Sequence, residues 1–390
     1  MSNRIDNIVV REVDGTSRFA SSLVLGAGLR VTNTPGGLPE LTGPLGEMEL
    51  SPSGGNDTPA ITAALAAYPR VRLAPGTFKV QTPLVLPAGR TLAGSGSPIT
   101  ELLSTAVITL GSETAIEGLT LTGPGTAGFG AGGIDYSGSG TGPRRVRITE
   151  VRARNFPSEA IRLTGADLVV LERVTVENVG ALANGIYIAA SGRSTAVEMR
   201  GVVVRDTGLS SIRMENVAQA ALDDVLAERS QRQGIFASGC RAVRISAARF
   251  VTCSAGIYLH NTSGAEVSGC EARDCGDSLF LDAASDVVVA GFRSLAARTN
   301  PLMVAGASTS VVVNGFLSDQ SGLTTFVNRP HVSVQSDSTF LLFGALRVVN
   351  SPLGTLTYEA NVTDAAGRVV FIQHNLNPAK VASGGNYASL

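Results

Sequence analysis

Four residues able to share chemistry recur at nearly equal intervals: Glu215, Ser238, His260 and Asp282, separated by 23, 22 and 22 positions. A carboxylate and an imidazole held close together shift one another's pKa, which suits them to general acid–base work. Glu215, His260 and Asp282 are therefore the candidate catalytic residues. Ser238, His260 and Asp282 also have triad identities, but a hydrolytic triad needs an oxyanion hole, and no segment offers one. Two residues before each member, and one interval upstream, stand Tyr187, Arg213, Phe236, Tyr258 and Phe280, with Arg162 and Met303 at the ends. Aromatic rings can stack on the apolar faces of sugars, and Arg pairs with uronate or sulfate groups, so these are the candidate substrate-binding residues. The same composition also suits a subunit interface or a face covered by a loop, and polar residues at a solvated strand end account for the first set without any chemistry. Glu215 and Asp282 are three intervals apart, about 14 Å if each interval is one strand spacing. That is long for an inverting glycosidase pair, which needs about 6.5–9.5 Å.

The intervals arise from a short apolar signature: VITL (Val107), GIDY (Ile134), AIRL (Ile161), GIYI (Ile186), SIRM (Ile212), GIFA (Ile235), GIYL (Ile257), SLFL (Leu279) and PLMV (Leu302), in steps of 27, 27, 25, 26, 23, 22, 22 and 23. A period of 20–30 with several short strand runs per repeat (LVVLERVTV, AVRISAARF, DVVVAGF) and no helices reads as a solenoid, specifically a parallel β-helix. The leucine-rich-repeat motif is absent. Strand side chains alternate, so Ile257 and Leu259 face in and Tyr258 and His260 face out, and the two sets above become two outward columns. A third set falls in the turns before the anchors: Asp206, Glu228 and Asp274, with Glu177, Asn178, Arg229 and Asp277. Asp206, Glu228 and Asp274 are the candidate groove rim, although turn geometry alone favours such residues. Asn216 and Asn261 are placed to form a ladder just past the second column.

The chain has 390 residues, of which 44% are hydrophobic and 16% charged, as a large buried core requires. A net charge of −1 leaves no electrostatic footprint for nucleic acid or an anionic membrane. No run of about 18 apolar residues exists, so no membrane insertion is expected. MSNRIDNIVVREVDG has no apolar h-region, so no Sec signal peptide is expected. Cys240, Cys253, Cys270 and Cys275 match no zinc spacing and read as small core or turn residues, with a disulfide between Cys253 and Cys275 left open. No Asp-x-Asp-x-Asp-Gly loop occurs, so neither a metal nor a cofactor is expected. Residues 1–50, ending Pro/Gly-rich, form an attachment or linker segment; 51–325 form the β-helix, with a capping helix over 57–67 N-capped by Asp57 or Thr58; 326–390 form a β region of another kind that covers the far end.

Residues 55–96, GNDTPAITAALAAYPRVRLAPGTFKVQTPLVLPAGRTLAGSG, resemble the N-terminal segment of the pectate-lyase-like right-handed β-helix proteins, among them phage tailspikes, polysaccharide lyases and epimerases. In these a capping helix (DTxAIxxAL) precedes PPGTY and LPSGVTLxG. The resemblance is close over this segment and architectural over the repeats. It implies a virion surface spike of a phage or gene-transfer agent, extracellular, attached through its N-terminus to a capsid or tail protein. Such a spike is homotrimeric and binds a surface polysaccharide, with or without depolymerising it. The alternatives are a lyase, hydrolase or epimerase acting on an acidic glycan, and a non-catalytic trimeric rod. The family's catalytic motifs are missing: there is no calcium-binding Asp cluster and no Asp-Pro-His, and the one Asp-Asp, Asp223-Asp224, lacks an Asn-x-Asp one coil earlier. No catalytic residue therefore carries over.

Overall fold

A computed structural model describes residues 46–349, apart from 128–131, 139–143, 193–194, 320–329 and 336–337, together with short strands outside that range. One coil shows the construction. Strand Ala255–His260 is followed by Glu266–Ser268 and Glu271–Arg273, and the chain then begins the next coil at Asp277–Asp282. Three bends separate the strands. Asn261, Gly269 and Asp274 turn them with φ of 46°, 60° and 51°. Left-handed backbone costs a non-glycine residue about 1 kcal/mol. Each bend recovers that through a hydrogen bond to the next coil, as from Asn261 N to Asp282 O and from Asp274 N to Leu295 O. The coil's interior is closed by Ile257, Leu259, Val267 and Ala272, all fully buried.

Repeated, the coil builds parallel sheets. The anchor strands form one 13-stranded sheet in chain order, starting at Leu84–Leu86, and the other strands of each coil join a 25-stranded network. The chain is thus an all-β, right-handed parallel β-helix with one helix among the described residues. The register puts Ile108, not Val107, opposite Ile134, so the first anchor lies one residue later than the sequence pattern suggests.

The helix spans Thr58–Ala67 and lays Ile61, Ala64 and Leu65 on the first coil's core. Asp57 occupies the N-cap position, but its carboxylate makes no cap bond. Asn56 Oδ1 instead accepts from Thr58 N at 3.2 Å. The Asp57 carboxylate is turned sideways to accept from Ser53 N at 2.8 Å and Lys79 N at 2.8 Å. It ties the segment before the helix to the first coil.

Parallel pairing also continues beyond residue 325. Leu302 pairs with Val332, Val332 with Ala360 and Ala360 with Val381, so these strands extend the anchor sheet. The steps lengthen to 30 and 28 before shortening to 21, which is why the period fades in the sequence. Side chains beyond Val348, and those of residues 1–45, lie outside the described residues, as do the attachment and trimerisation roles expected there. All four cysteines are free and buried. Among the described residues no helix is long and apolar enough to cross a membrane, and no His/Cys/Asp/Glu group could hold a metal.

Among the described residues the core holds one histidine. His331 is 1% exposed and its Nδ1 lies 2.7 Å from Ser318 Oγ. Burial lowers its pKa to about 4. The unfolded chain takes up a proton near pH 6.5 while the folded chain does not, so stability falls as pH drops from 6.5 to 4. The expected loss is about 3 kcal/mol across that window. Denaturation midpoints at pH 7 and pH 4.5 check this: the drop is expected in the native protein and is reduced in His331→Leu.

Candidate functional site

The anchor sheet's outer face carries both columns, in the register that the alternation implies. Arg162 pairs with Tyr187, Tyr187 with Arg213, Arg213 with Phe236, Phe236 with Tyr258, Tyr258 with Phe280, and Phe280 with Met303. Two residues on, Glu215, Ser238, His260 and Asp282 form the second column in consecutive strands. All four are half-buried. The fold brings them together because 22- to 23-residue coils leave no room for an inserted loop on this face.

Contacts between neighbouring strands divide the face into two polar clusters. In the first, the Tyr187 hydroxyl donates to Glu215 Oε2 at 2.7 Å, and Arg213 Nε donates to Glu215 Oε1 at 2.8 Å. In the second, the Tyr258 hydroxyl donates to Asp282 Oδ2 at 2.7 Å, and His260 Nδ1 lies 3.0 Å from the same oxygen. The motif is the same each time: a tyrosine of the first column reaches diagonally to a carboxylate of the second column on the following strand. Burial and the Glu215 carboxylate push the Tyr187 hydroxyl up to about 12, and burial and Asp282 likewise raise that of Tyr258. Both tyrosines are therefore neutral donors. Burial alone would raise the pKa of Glu215, but the Tyr187 hydroxyl and the Arg213 guanidinium outweigh it and hold the carboxyl below the usual range. A general acid needs the opposite shift to be protonated near neutral pH, so Glu215 is unsuited to that role.

The ring geometry also departs from the expected sugar platform. Tyr258 and Phe280 are stacked, with centroids 4.4 Å apart and planes 9° off parallel. Phe236 tilts against Tyr258 at 5.2 Å, and the Arg213 guanidinium covers Phe236 at 5.1 Å from its centroid. Strand spacing of about 4.8 Å is close to ring-stacking distance, so in-register aromatics satisfy one another. The Tyr258 and Phe280 faces that meet are closed to a ligand, and what the column offers is ring edges and hydroxyls.

The proposed rim acids are structural in their contacts. Asp206 and Asp274 occupy left-handed bends with φ of 55° and 51°. Asp206 accepts from Arg229 Nε at 2.6 Å and Nη2 at 2.9 Å, and Glu228 sits 2.7 Å from Arg205 Nε. Asn216 and Asn261 take left-handed bends on the opposite edge of the sheet. Asp277 is the site residue whose importance the sequence understated: its Oδ1 accepts from Thr299 Oγ1 and from the backbone and side chain of Asn300, pinning the next coil.

Residues 184–329, which hold both clusters, match the right handed beta helix region family. No curated protein matches the chain. Among solved structures it is similar to full-length tailspike protein 2 from Escherichia coli O157:H7 bacteriophage CAB120, at 15% identity and a TM-score of 0.50, covering 94% of this chain and 45% of that one. It is also similar to the Dettilon tailspike protein (12%, TM-score 0.54, 77% of this chain and 68% of that one). The third is the surface protein and adhesin PfbA of Streptococcus pneumoniae (13%, TM-score 0.55, 88% and 97%). The chain spans less than half the length of the CAB120 tailspike. Fold and family match define a right-handed parallel β-helix protein. That architecture is the one it shares with phage tailspikes.

Proposed function

We propose that the protein is a surface spike that binds a polysaccharide along its anchor sheet, at the virion surface and as a homotrimer. The observation that carries the reading is the pair of tyrosine–carboxylate clusters, Tyr187–Arg213–Glu215 and Tyr258–His260–Asp282, preorganised on one face of the anchor sheet. Fixed carboxylates beside hydroxyl and guanidinium donors match the hydroxyl-rich edge of a sugar chain, and a flat parallel sheet presents them along a line, as a linear polymer requires. The tailspike and adhesin architecture of the neighbours supports the same reading.

One observation favours a second reading, in which the bound glycan is also cleaved. A carboxylate only accepts, so His260 donates through Nδ1, and Nε2 stays outside that bond on a side chain that is 44% exposed. His260 oriented by Asp282 is then the proton-transfer group of the face, in place of Glu215. A glycan array read together with assays for new reducing ends and for unsaturated uronyl products separates the two. Binding without product supports the spike. Turnover per bound glycan that disappears in His260→Gln but persists in Glu215→Gln supports cleavage. Absence of binding to every surface polysaccharide on the array overturns both.

A further inference from the structure

The edge of the anchor sheet where its strands begin holds a cavity of about 590 Å³ lined by Arg229, Gln231, Thr252, Ser254, Arg298 and Thr299 among others. Its charges are unevenly matched. Arg229 is committed to Asp206 through two hydrogen bonds. Asp277, the carboxylate behind Thr299, is occupied by Thr299 and Asn300. No carboxylate lines the cavity.

Arg298 is different. Its backbone N donates to Cys275 O at 2.7 Å, and its Nη2 reaches one coil further back to donate to Cys253 O at 3.1 Å. That carbonyl is neutral and uses one of five N–H donors. Among the described residues no carboxylate pairs with Arg298. The reach across two coils fixes the guanidinium beside Ser254, at the start of the strand that carries Tyr258, four residues away and so about 13 Å along the strand direction. A guanidinium anchored by one edge, with its remaining donors unclaimed, next to the hydroxyls of Thr252 and Ser254 and the amide of Gln231, has the makings of an oxyanion site.

We propose that Arg298 and the cavity before it bind an anionic substituent of the glycan, a carboxylate or a phosphate, while its sugar hydroxyls meet the Tyr258–His260–Asp282 cluster. This rests on the glycan-binding reading above and adds to it a charge requirement and a second point of attachment. Between the two points the ligand runs along the direction of the strand that carries Tyr258, and its affinity depends on acidic groups and falls with salt.

The test uses the full chain and a panel of bacterial capsular polysaccharides, acidic and neutral. Each acidic polymer is paired with its carboxyl-reduced form, and each phosphate-bearing one with its dephosphorylated form. The native protein, Arg298→Gln, Arg298→Lys and Tyr258→Ala are compared, with thermal denaturation confirming that Arg298→Gln is folded. The expected result is binding confined to acidic polymers and weakened at least tenfold by Arg298→Gln and by whichever treatment removes the anion. Arg298→Lys is expected to recover part of the loss. Binding of neutral polymers that Arg298→Gln leaves unchanged but Tyr258→Ala abolishes overturns the anionic site and leaves glycan binding standing. Absence of binding to every polymer overturns the glycan reading and the anionic site with it.

Discussion

Asp282→Ala is expected to weaken glycan binding by about 10- to 100-fold, a loss of about 1.4–2.8 kcal/mol, while the coil remains folded. Asp282 Oδ2 is the single atom that receives both the Tyr258 hydroxyl, at 2.7 Å, and His260 Nδ1, at 3.0 Å. Hydrogen bonds to a charged group are each worth about 1.5–3 kcal/mol. Removing the carboxylate releases two side chains at once: the tyrosine loses its hydroxyl's partner and the imidazole its orientation. The interior is untouched, because Leu279 and Leu281 on either side of Phe280 stay fully buried. Tyr258→Phe removes only one of the two bonds and keeps the ring stack, so its effect should be smaller, near the lower end of that range. Titration calorimetry with the tightest-binding glycan, beside thermal denaturation of each variant, measures both. Native affinity in Asp282→Ala would remove this cluster from the binding site.

Asp57→Ala is expected to be the most damaging single change outside the hydrophobic core, at about 3 kcal/mol, because buried donors left without partners cost about 1–3 kcal/mol each. Asp57 is 2% exposed and accepts from the backbone of both Ser53 and Lys79, while its own N donates to Lys79 O at 2.9 Å and its carbonyl receives the helix's first bond, from Ile61 N, at 3.0 Å. The helix covers the end of a solenoid whose coils touch only their neighbours, so loosening it exposes the first coil's edge. Amide exchange over residues 48–80 should rise first, with the coils around Tyr258 following only at higher denaturant. Asp57→Asn retains one acceptor and should fall between. Burial would raise this carboxyl's pKa, but the Ser53 hydroxyl and the Lys79 and Ser53 amides outweigh it and hold it below the usual value. A depressed folded pKa means that its contribution is full above the ordinary carboxyl range and is lost as pH falls through the folded value. The gap between native and Asp57→Ala midpoints should therefore narrow below about pH 4.

The face itself was legible from spacing. Ile257 and Leu279 recur 22 residues apart as inward positions, and with a period of two each side chain of their two strands is assigned to a side. The pairing of Tyr258 with Phe280 and of His260 with Asp282 follows from nothing more than that register. What each side chain does there was not legible. The rings of Tyr258 and Phe280 read as open platforms, but one strand spacing lets them close on each other. Asp206, Glu228 and Asp274 read either as a groove rim or as turn residues, and in the structure two are committed to Arg229 and Arg205 and two hold left-handed bends. Arg298 carries no signal of its own in the sequence: it stands four residues before its anchor Leu302, one place past the position Asp274 takes before Leu279. Its significance lies in a reach back to Cys253, 45 residues earlier in the chain.

The sequence alone determined the coil, its period, the inward and outward sides of the anchor sheet and the capping helix, because each depends on local alternation and on apolar residues that must be buried wherever the chain turns. Only the tertiary structure decided which carboxylates are committed and which cations are not, how the rings close on one another, and that strands beyond residue 325 extend the same sheet. Those outcomes depend on which side chains of adjacent coils come within 3 Å across 22 to 28 residues of sequence. Stacking of coils settles that, and no periodicity records it.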